Sequence, residues 1–332
     1  MSYRRQFLGF VGLLLLLNAS AWIPHAAAVN VLILAGQSNM VGQANVTATL
    51  PGADPVDSQI RFYFDVTNTV AGFQDSSGQM FGPLRPWTFN ASTSRFGPEM
   101  SLGRELATVD GLDLAMIKVA IGGSDIARWL PGAVDYNKLT SAVIDGIGEL
   151  QTAGESVNVL GLVWLQGESD VISTARADAY AANLANFIGG FRGAMHSALP
   201  ALGFDQLPTL LVEPADWRNG SSPGSATPAN IAKVHNALMD FAAQDPRSWF
   251  IPTDDFNVFG DGLIHFGAAD QMTLGLRIAH AVRTHLIPEP ATGAQLLVAV
   301  ALLRWRTVSC SLLGTQFLCY SPLYHSRELC AQ

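Results

Sequence analysis

The sequence predicts an α/β protein, a three-layer α/β/α sandwich around a mainly parallel central sheet. Apolar runs of strand length alternate with stretches of helical spacing, the pattern of βαβ units whose strands are buried on both faces. Three of those runs end in glycine or polar clusters, at Gly36–Asn39, Gly122–Ser124 and Gln166–Asp170. In open parallel sheets ligands bind outside the carboxyl ends of the strands, so the fold class predicts one rim where these clusters meet.

The elements follow in order. Val29 to Ala35 is the first buried strand, and Gly36 ends it. Gly42 to Ser94 is rich in turns, with Pro51-Gly52, Asp54-Pro55 and Gly82-Pro83, and holds one strand-like run, Ile60–Phe64. Trp87, Phe89 and Phe96 in or beside this region either line a cleft for sugar or acyl groups or cover the edge of the sheet. Pro98 opens a helix over Met100–Ala107, because proline fits the first helical turn. Leu114–Ala120 is the next strand. Leu139, Val143, Ile147 and Leu150 share one helical face and define a helix over Tyr136–Thr152. Val157–Leu165 is a strand and Ala175–Leu199 a helix. Thr209–Val212 and Trp249–Ile251 are strands, with helices over Ala229–Ala243 and Ala268–Leu286.

The clusters carry recognisable chemistry. Ser38 stands where a buried strand gives way to a turn and a helix start, which is how a fold presents a nucleophile at a sheet edge. A serine there also serves as a plain helix cap. An attacking hydroxyl needs a base, and His265 at the start of the last helix is the candidate, with Asp261 close enough in sequence to orient it. The backbone N–H groups of Ser38 and Gly123 and the side-chain amide of Gln166 are candidate donors to an oxyanion. Gly220-Ser221-Ser222-Pro223-Gly224 matches a nucleophile pattern literally, but no strand runs into it, and it reads as a loop. His196, His235, His280 and His285 lack metal-ligand spacing and read as surface or packing residues. Glu168 and Asp170 read as hydrogen-bonding supports of the rim.

Taken together, Gly36-Gln37-Ser38-Asn39-Met40, Phe96-Gly97-Pro98-Glu99, Gly122-Gly123-Ser124 with Trp129, Gln166-Gly167-Glu168 within Trp164–Asp170, Asp261 with His265, and Leu274-Gly275 resemble the SGNH hydrolase superfamily. Within it the chain is similar to the sialate O-acetylesterase and acetylxylan esterase branch, carbohydrate esterase family 6, over roughly Val29 to Leu286. The resemblance implies a flavodoxin-like SGNH hydrolase fold and a serine O-acetylesterase acting on acetylated carbohydrate, with no metal and no cofactor. It implies Ser38 as nucleophile, His265 as base and Asp261 as its partner. Gly123 and Gln166 would join the Ser38 amide in the oxyanion hole, supported by Gln37, Asn39, Gly122 and Glu168. The family spaces its Asp and His three apart; here they are four apart, so Glu168 or Asp255 stands as an alternative partner for His265. Two other readings remain open: a surface carbohydrate-binding protein on an inactive SGNH-like scaffold, and an esterase for short-chain or lipid esters.

The ends of the sequence read as processing segments. Arg4 and Arg5 precede an apolar run from Phe7 to Leu17, and Ala26–Ala28 follow, which is the layout of a signal peptide over residues 1–28. The esterase domain then spans 29–286. Residues 287–306 contain Pro288-Glu289-Pro290, an apolar stretch and Arg304 and Arg306. They resemble a PEP-CTERM sorting signal, which implies export in a bacterium, to the medium or the cell envelope, and an exosortase-type partner. Residues 307–332 form an extension that holds all three cysteines, so the catalytic body has no thiol nucleophile and no disulfide. With 49% hydrophobic and 14% charged residues, a domain of this length can build a large core. The formal charge of −8 argues against nucleic acid as a partner.

Overall fold

Strand β1 (Val29–Gly36) shows why a parallel sheet forms. Its side chains alternate, with Leu32 and Leu34 in one core and Val31, Ile33 and Ala35 in another. A strand apolar on both faces needs helices on both sides. The computed structural model describes residues 28–47, 50–68, 72–215, 226–256 and 264–287. Asp261, the Gly220–Gly224 segment, most of the signal segment and the sorting tail with its cysteines lie outside the described residues.

The remaining strands of the main sheet are β3 (Arg61–Asn68), β4 (Phe73–Ser76), β5 (Gly82–Pro83), β8 (Leu114–Gly122), β9 (Val157–Leu165), β10 (Thr209–Val212) and β11 (Ser248–Ile251). Their spatial order is β11-β10-β9-β1-β8-β3-β4, with β5 also paired to β3. Strands β3, β8, β1, β9, β10 and β11 run parallel; β4 and β5 are antiparallel additions to β3. The layers and strand direction match the flavodoxin-like expectation, while the order differs: β8 is inserted between β1 and β3. The carboxyl ends of β8, β1 and β9 therefore lie side by side, and these are the strands that end in the polar clusters.

Among the described residues, six α-helices accompany the sheet: α1 (Ser38–Val41), α2 (Glu99–Thr108), α3 (Val134–Thr152), α4 (Thr174–Ala198), α5 (Pro228–Gln244) and α6 (Ala268–His285). Leu102 and Leu106 of α2 and Leu274 and Ile278 of α6 pack on the Leu32–Leu34 face. Leu139 of α3, Phe187 of α4 and Leu238 of α5 pack on the opposite face. Helices α2 and α6 cross closely at Gly275, where a Cβ would stand 2.1 Å from Ser101 Oγ and 2.3 Å from the Pro98 carbonyl oxygen. That contact, with Ser101 Oγ donating to the Met272 carbonyl at 2.7 Å, fixes the start of α6 against the rest of the fold.

The turn-rich region also forms a second, three-stranded sheet of β2 (Ala44–Asn45), β7 (Thr93–Phe96) and β6 (Trp87–Asn90). Its aromatic residues cover the structure rather than line a cleft. Trp87 and Phe96 are buried, Trp87 stacks on Phe73 at 4.9 Å, and its Nε1 donates to the Gly42 carbonyl at 2.7 Å. Phe89 is half-buried under the Arg95 guanidinium, 3.9 Å from its ring centre.

Mid-sheet, β8 carries a lysine. Lys118 is buried, and its Nζ donates to Glu99 Oε2 at 2.6 Å and to the Val41 carbonyl at 3.0 Å. Glu99 Oε1 accepts from the Gly97 N–H at 2.9 Å. Burial holds the Lys118 ammonium below the usual lysine range, and Glu99 offsets that. The pair ties the end of α1, the start of α2 and the middle of the sheet together, directly beneath the turn that carries Ser38. Breaking such a pair from one side leaves an uncompensated buried charge. The Glu99→Gln variant is expected to lose about 3–5 kcal/mol of stability in denaturant unfolding. Adding Lys118→Met should recover part of that loss, because the stranded ammonium is its main cause; a double variant less stable than Glu99→Gln alone would contradict this.

Candidate active site

The site begins with a backbone approach that only glycine permits. Gly36 has φ +152°, and a Cβ there would stand 2.0 Å from the Leu165 carbonyl oxygen on β9. That oxygen accepts from the Gln37 N–H at 2.9 Å as the chain leaves β1. The Gln37 side chain, itself buried, then turns its Oε1 to the neighbouring loop and accepts from Gln166 Nε2 at 3.1 Å, Gly167 N–H at 3.3 Å and Ser169 N–H at 3.1 Å. Ser38 follows as the first residue of α1 and is 5% exposed.

The loop after β8 meets the same place. Gly123 is exposed in the left-handed region, with φ +76°. Ser124 is buried, and its hydroxyl donates to the Ile121 carbonyl at 2.8 Å while accepting from Trp129 Nε1 at 3.0 Å. Asp170, four residues after Gln166, accepts from Gln166 Nε2 at 2.6 Å and from the Ile126 N–H at 3.1 Å. It thus bridges the β9 loop to the β8 loop. Gln166 Nε2 also lies 3.1 Å from the Ser124 carbonyl, so its two hydrogens face three protein acceptors. An oxyanion that uses Gln166 has to take a hydrogen from one of them.

His265 arrives from the last loop, in a stretch without regular secondary structure just before α6. Asn39, the residue after Ser38, holds it there. Asn39 Nδ2 donates to the Ile264 carbonyl at 3.2 Å and to Glu168 Oε1 at 2.8 Å, while its Oδ1 accepts from the Phe266 N–H at 2.9 Å. Gln271 Nε2 of α6 donates to the Asn39 carbonyl at 3.1 Å. Glu168 is buried, and burial pushes its carboxyl above the usual range; hydrogen bonds from Asn39 and the Ala215 N–H and the nearby His265 act in the other direction. Of the two alternative acids, Glu168 is therefore in electrostatic reach of His265. Asp255 is an exposed partner of Arg277, at 2.8 Å.

Ser38, Gly123, Gln166, Glu168 and His265 are thus gathered at one end of the sheet, with Gln37 and Asn39 as the side chains that join their loops. Gly122 is the buried last residue of β8. Of the other histidines, His196 pairs with Asp205 at 3.3 Å on the surface, His285 stacks on Trp249 at 4.7 Å, and His235 Nδ1 lies 2.9 Å from Glu213, just past the end of β10. Among the described residues, no group of three or more His, Cys, Asp or Glu side chains could hold a metal ion.

Ser38 at a strand-to-helix turn, and the loops that carry Gly123, Gln166 and His265, thus come together at the carboxyl end of a mainly parallel sheet. A family model described as carbohydrate esterase, sialic acid-specific acetylesterase, matches residues 28–284, and the chain belongs to that family of carboxylic ester hydrolases. Solved structures agree on the fold. A protein from Arabidopsis thaliana is 20% identical, with a TM-score of 0.56 over 78% of this chain and 100% of that one. NanS is 14% identical, with a TM-score of 0.57 over 77% of this chain and 97% of that one. A carbohydrate acetylesterase from Xanthomonas citri is 21% identical, with a TM-score of 0.51; the match covers 77% of this chain but only 56% of that one. No protein with a curated description matches the chain.

Asp170 gives the site a measurable pH signature. Burial raises its carboxyl from 3.8 to about 7, against the opposing pull of the Gln166 and Ile126 hydrogen bonds. The folded state therefore holds a proton that the unfolded chain has lost. The associated stability is fully present below pH 3.8 and fades as pH rises through about 7. Asp170→Asn should flatten this fall, so that the stability difference between variant and parent changes by on the order of 4 kcal/mol between acid and neutral pH. Denaturant titrations at stepped pH check it; parallel profiles would contradict the assignment.

Proposed function

We propose that this chain is an exported serine esterase that removes acetyl groups from carbohydrate, of the acetylxylan or sialic acid type, through an acyl-enzyme. The observation that carries the reading is the convergence of Ser38, the Gly122–Ser124 loop and the Gln166–Asp170 loop on three adjacent strands, with the peptide groups on both sides of His265 bonded into the same network by Asn39. His265 takes the proton from Ser38 Oγ as that oxygen attacks the acetyl carbonyl. The Ser38 and Gly123 N–H groups hold the oxyanion, and one such donor is typically worth about 3 kcal/mol in the transition state. Gln166 contributes a third hydrogen by giving up one of its 3.1 Å contacts. Collapse of the tetrahedral intermediate breaks the bond to the sugar oxygen, which takes the proton from His265 and leaves as the sugar hydroxyl. Water, deprotonated by the same histidine, then releases acetate from Ser38. Asp261 is the acid assigned to orient His265. Arg4, Arg5 and the Phe7–Leu17 run support export, and the Pro288-Glu289-Pro290 segment supports handling by an exosortase-type machinery.

Acetate release from acetylated xylan and from O-acetyl sialic acid tests the reading, with the full chain and its Ser38→Ala variant side by side. The expected result is release that falls at least about 1,000-fold in the variant. Activity retained in Ser38→Ala would sink the assignment. Glycan binding by a folded protein that releases no acetate would favour an inactive carbohydrate-binding scaffold, and turnover of synthetic short-chain or lipid esters in preference to both acetylated sugars would move the substrate to those esters.

A further inference from the structure

The residue next to the nucleophile does more than fill a turn. Asn39 is buried, and its side-chain amide bonds to both peptide groups that flank His265: the Ile264 carbonyl on one side and the Phe266 N–H on the other. Its orientation is fixed by chemistry. Nδ2 faces two acceptors, Glu168 Oε1 and the Ile264 carbonyl, and Oδ1 faces a donor, so turning the amide over would set oxygen against oxygen. Few side chains meet this demand. An ionised aspartate cannot donate, serine and threonine are too short to span both peptides, and leucine offers neither hydrogen bond. The His265 segment has no regular secondary structure of its own, so it needs such external support. The support comes from the residue covalently attached to Ser38, and Gln271 of α6 closes the loop by donating to the Asn39 carbonyl.

We propose that Asn39 is the positioning residue of the Ser38–His265 pair, clamping the backbone on both sides of the histidine to the turn that presents the serine. This rests on the assignment of Ser38 as nucleophile and His265 as base. Proton transfer between the two requires a heavy-atom separation within hydrogen-bond reach, and an ångström of misplacement lowers a rate by about 100-fold. Asn39 does not touch substrate in this account; it sets the distance over which the proton moves.

The test is steady-state hydrolysis of p-nitrophenyl acetate by the full chain, with active sites counted by burst titration. Asn39→Ala should lower kcat per active site about 100-fold, with KM changed less than about threefold. Asn39→Asp gives a second signature. A carboxylate at residue 39 faces Glu168 Oε1 and the Ile264 carbonyl, and it cannot donate to either until it gains a proton. The ratio of Asn39→Asp to parent kcat per active site should therefore rise as pH falls from 8 to 6; counting active sites at each pH removes the pH-dependent loss of folded protein that a buried carboxylate also brings. The His265 ring resonances supply a readout that needs no turnover: they should move when Asn39→Ala is introduced, and move equally when it is introduced into a Ser38→Ala background, where the serine hydroxyl no longer contributes to the ring's surroundings. Unchanged kcat per active site together with unmoved ring resonances overturns the proposal, even where Ser38-dependent hydrolysis upholds the esterase reading. Moved resonances in a protein that hydrolyses no ester support the clamp and remove the esterase reading instead.

Discussion

The contact between Gly36 and the Leu165 carbonyl is the constraint on which the site depends. A strand that ended in any other residue would push β1 and β9 apart at their carboxyl ends, because a Cβ has no room at 2.0 Å from that oxygen. With glycine there, the Gln37 N–H reaches the same oxygen, and the Gln37 side chain falls within bonding distance of the 166–169 backbone. The direction in which Ser38 leaves the sheet follows from those bonds.

What is built on that approach is a polar network inside a water-poor rim. Gln37, Asn39, Gln166, Glu168 and Asp170 are each 2% exposed or less. Buried polar groups are costly when unpaired and stiffening when paired, so a dense network of this kind trades desolvation for a single arrangement. The consequence is legible in the carboxyls: burial raises both Glu168 and Asp170. The Lys118–Glu99 pair repeats the logic one layer down, where charge is tolerated only because both partners and the Val41 carbonyl are satisfied together. Rigidity beneath the turn and bonding above it leave the Ser38 region little freedom to drift.

Much of the fold was readable from pattern alone. The six parallel strands and the five long helices announce themselves because period and length are local signals. The polar clusters on adjacent strands were equally visible, since a glycine or amide run at the end of an apolar strand stands out. The second sheet was not, because its strands run from two to four residues and follow no long alternation. The strand order was not either, since insertion of β8 beside β1 is a choice of topology. The role of Asn39 lay out of reach for a different reason: its partners Glu168 and Ile264 are 129 and 225 residues away along the chain. Lys118 offered a signal that could have been used. A lysine within an otherwise apolar strand demands a buried acid, and Glu99 in the Phe96-Gly97-Pro98-Glu99 motif supplies it.

The central claim is that Ser38 is the reacting group of this site. Covalent labelling of the full chain with a fluorophosphonate, followed by peptide mapping by mass spectrometry, addresses it without any assumption about the sugar. The account predicts one stoichiometric adduct, on the peptide containing Ser38, and none in the Ser38→Ala variant. An adduct on Ser221 or another serine, or labelling that survives in Ser38→Ala, would contradict it.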